Sequence, residues 1–107
     1  MTMTNHPTIQ DIRQAQERIK PYIRHTPLLR AEKIEKAVGC QVYLKPETLQ
    51  ITGAFKIRGA LNKSLLLSRE EIANGMIATS SGNHAQGLAY AARLLGVKAM
   101  LVVPVTT

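Results

Sequence analysis

Residues 76–103 constrain the fold more than any other part of this chain. Met76-Ile-Ala-Thr79 reads only as a strand, residues 80–83 form a tight polar loop, residues 84–95 carry a helical pattern stopped by Gly96, and residues 97–103 supply a second apolar strand. Strands joined through one helix run parallel, and such crossovers are almost always right-handed. This predicts an α/β layer structure in which helices cover a parallel sheet. The loop has a chemical consequence as well. Backbone N–H groups at a helix start are unpaired and sit at the positive end of the helix dipole, so residues 80–84 offer a seat for a carboxylate, and Gly82 lets the backbone come close to a ligand. The loop has neither the glycine spacing of a dinucleotide fingerprint nor the Gly-Lys-Ser/Thr end of a phosphate loop. Taken alone, a Ser-Ser-Gly-Asn run is most often a turn and helix cap.

The rest of the chain fits the same alternation of helices and strands. Thr8 is a predicted N-cap with Asp11 in the first turn, and Ile12, Ala15, Ile19 and Ile23 mark one apolar stripe until Pro21 disturbs its end. Pro27 starts an extended link, residues 31–38 read as a short helix closed by Gly39, and residues 41–44 read as a strand. The next helix is expected from about Ala54 to about Leu67. Ser68-Arg-Glu-Glu71 is a capping-box pattern for a further short helix that Asn74-Gly75 ends. No internal repeat, low-complexity segment or flexible linker is visible. In the helix of residues 84–95, Tyr90, Leu94 and the set Ala89, Ala91 and Ala92 read as packing residues.

A lysine stands out in Glu47-Thr-Leu-Gln-Ile-Thr-Gly-Ala-Phe-Lys56-Ile-Arg-Gly-Ala60, directly after a Thr-Gly turn. An amine attacks a carbonyl only when apolar surroundings or nearby cations lower its pKa, and Phe55, Ile57 and Arg58 flank this one. Most lysines are solvated surface charges, and Lys56 is lifted from that class by the string around it. Composition excludes several other chemistries. The net charge of +7 is spread from Arg13 to Lys98 without a run of five like charges, and three Tyr and one Phe make no stacking row, so a nucleic-acid partner is not expected. An acidic remainder of a longer chain would balance this charge. No run approaches the roughly 20 apolar residues that span a bilayer, and the N-terminus lacks a secretion signal, which predicts a cytoplasmic protein. The single Cys40 cannot form an internal disulfide and reads as a small core residue. His6 and His25 have no partner at metal-ligand spacing, so no metal is expected.

The string around Lys56 resembles the pyridoxal-phosphate attachment site of the serine/threonine dehydratase family, with Glu47, Thr52, Gly53, Ala54, Phe55, Lys56, Arg58, Gly59 and Ala60 in register. Thr79-Ser-Ser-Gly-Asn-His-Ala-Gln-Gly87 is similar to that family's Ser-x-Gly-Asn-His substrate loop. His25-Thr-Pro-Leu28, Val42-Tyr-Leu-Lys-Pro-Glu47 and Met100-Leu-Val-Val-Pro104 extend the resemblance over nearly the whole chain. It implies the α/β fold of fold type II pyridoxal-phosphate enzymes, a tryptophan synthase β-like parallel three-layer sandwich. The family's enzymes are several times longer, so the chain is expected to be an N-terminal portion, with residues 1–48 in the larger domain and residues 49–107 in the smaller one.

The resemblance also implies roles. Lys56 would carry pyridoxal 5'-phosphate covalently, be displaced by the substrate amine, and then remove the α-proton. Phe55 would pack against the cofactor ring and Asn83 would hydrogen-bond its phenolic oxygen. Ser80, Ser81, Gly82, Asn83 and His84 would surround the substrate carboxylate, His84 chiefly through its backbone N–H, because the dipole at a helix start disfavours an imidazolium. For Arg58, a structural salt bridge competes with a ligand contact. The implied reaction is β-elimination of water from L-threonine or L-serine, giving a 2-oxo acid and ammonia, by a homo-oligomeric dimer or tetramer, with isoleucine biosynthesis as one setting. Ser81 aligns with a serine that some relatives use to reprotonate from the opposite face, which keeps an amino-acid (serine) racemase open, as does a non-catalytic fragment or interaction module. The glycine-rich phosphate loop and the partner of the pyridine nitrogen lie beyond residue 107 in the family's order, so these 107 residues alone are expected to be inactive.

Overall fold

The computed structural model describes residues 6–106; the readings that concern residues 1–5 and Thr107 lie outside the described residues. Helix α1 (Ile9–Ile19) starts at Thr8, whose hydroxyl accepts the Asp11 N–H while the Asp11 carboxylate accepts the Thr8 N–H. Both orphan donors are thereby satisfied, as expected of a capping box. Pro21 turns the end of the stripe into a 3-10 turn, Lys20–Tyr22. The link that follows contains the strand β1 (Leu29–Arg30), which the sequence reading had only as extended chain. It pairs antiparallel with β2 (Tyr43–Leu44), Leu29 opposite Leu44 and Arg30 opposite Tyr43. Between them lies α2 (Glu32–Val38), closed by Gly39 in the left-handed conformation. Cys40 follows that cap and is exposed, which corrects its reading as a core residue: the chain has left the helix there and nothing packs over it.

After a 3-10 turn (Glu47–Leu49), helix α3 runs over Lys56–Ser64, shorter at both ends than expected. Helix α4 (Arg69–Ala73) has the predicted capping box, Ser68 with Glu71. The crossover unit is present as read: β3 (Met76–Thr79), α5 (Asn83–Leu95) closed by Gly96, and β4 (Ala99–Val102). β3 and β4 are parallel, with Met76 opposite Ala99 and Thr79 opposite Val102. Helix α5 starts one residue before the expected His84, and β4 is shorter than the apolar run that suggested it.

The core forms where α3 and α5 meet. Ile57, Leu61 and Ala91 are fully buried and share a cluster with Ile19, the one buried residue of α1. A second cluster joins Met76, Leu88 and Ala92, with Ala78 and Leu101 packed against it, so α5 covers one face of the β3–β4 pair. On the other face Ile77 is 69% and Met100 63% exposed. Of the packing residues read in α5, Ala91 and Ala92 are buried and Tyr90 half-buried, whereas Ala89 and Leu94 face outward.

Gly87 sets the spacing of the two central helices. A Cβ at this position would stand 3.3 Å from the Ile57 backbone nitrogen and 3.3 Å from the Ala60 Cβ. A side chain there would push its neighbours by a few tenths of an ångström, so the absence of a Cβ eases the close approach. Ile57 therefore lies against Gly87, while Leu61 and Ala91, each one turn further along, share one cluster. The two helices advance together, and their N-termini lie at one end of the molecule.

Candidate active site

That common end carries the residues singled out in the sequence. Lys56 opens α3, one residue before Ile57, and Asn83 opens α5, about 6 Å of helix axis before Gly87 at 1.5 Å per residue. The chain reaches Lys56 through a turn in which Gly53, at φ +67°, donates its N–H to the Gln50 carbonyl at 2.8 Å. Ala54 is then buried and Phe55 emerges 58% exposed. The Lys56 ammonium lies 5.2 Å from the centre of the Phe55 ring, a cation–π contact, and makes no ion pair among the described residues. Its neighbours in sequence do not surround it. Ile57 points into the core and Arg58 is bound to Glu47, which corrects the expectation that both would shape the amine's environment.

At the other helix start, the Ser80 N–H donates to the Val102 carbonyl at 3.2 Å, fixing the loop to the end of β4. The Ser80 hydroxyl accepts the Gly82 N–H at 3.3 Å. No side chain caps α5, so the N–H groups of its first turn have no internal acceptor from a capping residue. A Cβ on Gly82 would meet nothing within 4 Å, so nothing in the chain itself requires glycine there, and the space in front of the loop is open. Ser81, Asn83 and His84 are exposed, and no hydrogen bond joins Ser81 to Lys56.

The segment before Lys56 is held by a polar network that the sequence reading did not assemble. Arg58 forms a bidentate pair with Glu47, Nε to Oε2 and Nη2 to Oε1, both at 2.8 Å. The Thr26 hydroxyl, 2% exposed, donates to the same carboxylate, and the Lys45 ammonium donates to the Thr26 carbonyl at 2.9 Å. Gln50, also 2% exposed, accepts the Arg24 N–H and donates to the Arg24 carbonyl. The only signal for this in the sequence is that Glu47 and Arg58 belong to one motif. The Arg58 guanidinium beside Glu47 brings the carboxyl down to about 2, against partial burial that pushes the other way. A depressed folded-state value contributes stability above the unfolded value and loses it as pH falls through the folded one. The stability gap between the wild-type protein and Glu47→Gln is therefore expected to be constant above about pH 5 and to shrink between about pH 4.5 and 2, measured by urea unfolding across that range.

A cleft of about 540 Å³ lies elsewhere, between α1, the link after it and the outer side of Arg58, and includes none of residues 55, 56 or 80–84. Among the described residues no group of His, Cys, Asp and Glu could hold a metal ion, and no helix is long and apolar enough to cross a membrane.

The donor set at the common helix end suits an aromatic aldehyde phosphate. It offers an unpaired primary amine, an exposed aromatic ring beside it, a carboxamide at Asn83 and uncapped N–H groups for an anion. The Thr52 hydroxyl adds a buried polar atom with no protein partner, four residues before Lys56.

Known proteins are similar to this chain in sequence and in fold. The chain is 46% identical over 97 residues to the L-threonine ammonia-lyase of Thermotoga maritima, covering 91% of this chain and 24% of that protein. The structure of a threonine deaminase from T.th. superposes with a TM-score of 0.80 at 51% identity, over 92% of this chain and 31% of that one. Serine racemase from Dictyostelium discoideum superposes with a TM-score of 0.85 at 45% identity, over 92% and 32%. The chain thus spans about a quarter to a third of the length of the relatives it matches. Its fold is that part of the α/β architecture of fold type II pyridoxal-phosphate enzymes. Residues 19–107 match the family described as pyridoxal-phosphate dependent enzymes, and to that family this chain belongs.

Proposed function

We propose that this chain provides the lysine and the carboxylate-binding loop of a threonine/serine ammonia-lyase, which eliminates water from a β-hydroxy amino acid. The observation that carries this is the placement of Lys56 and residues 80–84 at one end of two helices in contact at Gly87. When bound, pyridoxal phosphate supplies an electron sink for negative charge at the substrate α-carbon. Lys56 Nζ would hold the cofactor, give way to the substrate amine and take the α-proton. Phe55 presents its exposed face beside that amine, and Asn83, the first residue of α5, would orient the ring oxygen. The N–H groups and hydroxyls of residues 80–84, His84 by its backbone, hold the substrate carboxylate. Breaking the Cα–H and Cβ–O bonds releases water, and hydrolysis then yields a 2-oxo acid and ammonia. In this proposal the reaction belongs to amino-acid metabolism in the cytoplasm and is carried out by a homo-oligomer.

A second reading has its own support: the Ser81 hydroxyl is exposed beside the same helix start, and relatives named serine racemase match as strongly as those named threonine dehydratase. Product analysis on the natively expressed polypeptide, given pyridoxal phosphate and L-threonine or L-serine, separates them. A 2-oxo acid with equimolar ammonia is expected. D-serine as main product transfers the assignment to a racemase, and neither product, with no covalent cofactor, leaves a non-catalytic module.

A further inference from the structure

The start of α3 lacks what usually fixes a helix start. Its N-cap is Phe55, in a helical conformation and with no side-chain hydrogen bond, so within the first turn only the buried Ile57 anchors the helix, on its core side. Arg58 lies two residues beyond Lys56, about 200° around the helix, and therefore projects from the side away from the amine. It is gripped there by both oxygens of Glu47 and lies 3.4 Å from the Thr26 hydroxyl. The pair is largely shielded, with side-chain exposures of 29% for Arg58 and 16% for Glu47. A planar guanidinium bound in two places resists rotation in a way a single bond does not. Glu47 is held in turn by Thr26, Thr26 by Lys45, and the Arg24 backbone by Gln50. Each of these bonds ends on another part of the chain, and none is directed to a ligand at the Lys56 side.

We infer that Glu47 and Arg58 are positioning residues, a clamp that replaces the missing cap of α3 and fixes the direction in which the Lys56 amine stands. The inference rests on the proposed role of Lys56 as the cofactor-bearing lysine. The clamp acts on the first turn alone, which gives the test an internal reference: Lys63, exposed in the last turn of the same helix, lies beyond its reach.

The experiment treats the natively expressed polypeptide and its variants Glu47→Gln, Arg58→Lys and Thr26→Val with limiting pyridoxal phosphate, reduces with borohydride, and maps the label on Lys56 and Lys63. Amide hydrogen exchange in the first turn of α3 is followed without cofactor. Wild type is expected to label Lys56 in preference to Lys63. Glu47→Gln and Arg58→Lys are expected to lower that ratio about tenfold or more, as small displacements of a reacting group do, with faster exchange confined to the first turn. Arg58→Lys fails although it keeps the charge, because the fork is lost; Thr26→Val, which leaves both charges in place, gives a smaller loss in the same direction and decides the matter should the charge variants not fold. A label ratio within about twofold of wild type in folded variants overturns the clamp while leaving the cofactor reading standing. A wild-type protein with no preference for Lys56 overturns the cofactor reading, and the clamp's role with it.

Discussion

In the natively expressed polypeptide, Lys56→Ala is expected to abolish borohydride-stable labelling at the start of α3 and to lower turnover at least about a thousandfold, with unfolding almost unchanged. The two halves of this expectation come from different features of the structure. The loss is large because, among the described residues at that helix end, the Lys56 amine is the group able to bond the cofactor aldehyde and then carry the α-proton, and residues that act as a unit fail together. Stability is spared because Lys56 is exposed and makes one contact, 5.2 Å from the Phe55 ring centre, and surface changes of that kind stay within about 0.5 kcal/mol. Lys56→Arg sharpens the result. It keeps the cation and the ring contact but has no nucleophilic amine, so it should behave as alanine in labelling and turnover. Mass mapping after reduction, turnover and thermal unfolding on the same preparations check all three. Label persisting on α3 of Lys56→Ala, or turnover within tenfold of wild type, would remove Lys56 from the reaction.

What could be seen in the sequence was what local chemistry decides. The caps at Thr8 with Asp11 and at Ser68 with Glu71 depend on residues three apart, and both formed as read. The order β3, α5, β4 followed from a strand pattern, a polar loop and a glycine stop, each short in range. Pairings between distant segments were hidden. β1 and β2 are two-residue strands whose partnership depends on how α2 returns the chain, and neither carries a pattern long enough to show it. The apolar run Leu65 to Leu67 extended the helical pattern of α3, yet the helix stops at Ser64, and beyond it Leu65 packs against the cluster of Ile19 and Leu67 against that of Met76. The site was legible as motifs and illegible as a network. Glu47 and Arg58 were visible as members of one string, but only the folded chain shows that they bind each other rather than a ligand, and that Thr26 completes the pair.

Leu61→Ala is expected to destabilise the fold strongly, by about 2–5 kcal/mol. Leu61 is fully buried in the cluster of Ile19, Ile57 and Ala91, where α1, α3 and α5 meet, so removing its terminal carbons leaves a void bounded by three helices. The spacing of α3 and α5 is already set by backbone contact at Gly87, which prevents the helices from closing over that void. A site that cannot collapse sits at the costly end of the range. Whole domains of this length are stable by only about 5–15 kcal/mol, so the loss is a large fraction of the total and should lower Tm by about 10 °C or more, at about 4–8 °C per kcal/mol. Leu66→Ala is the matched control: the same atoms are removed from a residue 57% exposed, with an expected effect within about 0.5 kcal/mol. Urea and thermal unfolding of the two variants side by side test the packing directly. Equal losses would mean that α3 does not rest on α5 through Leu61. The parallel advance of the two helices, which alone brings Lys56 and the loop of residues 80–84 to one end, would then lose its support.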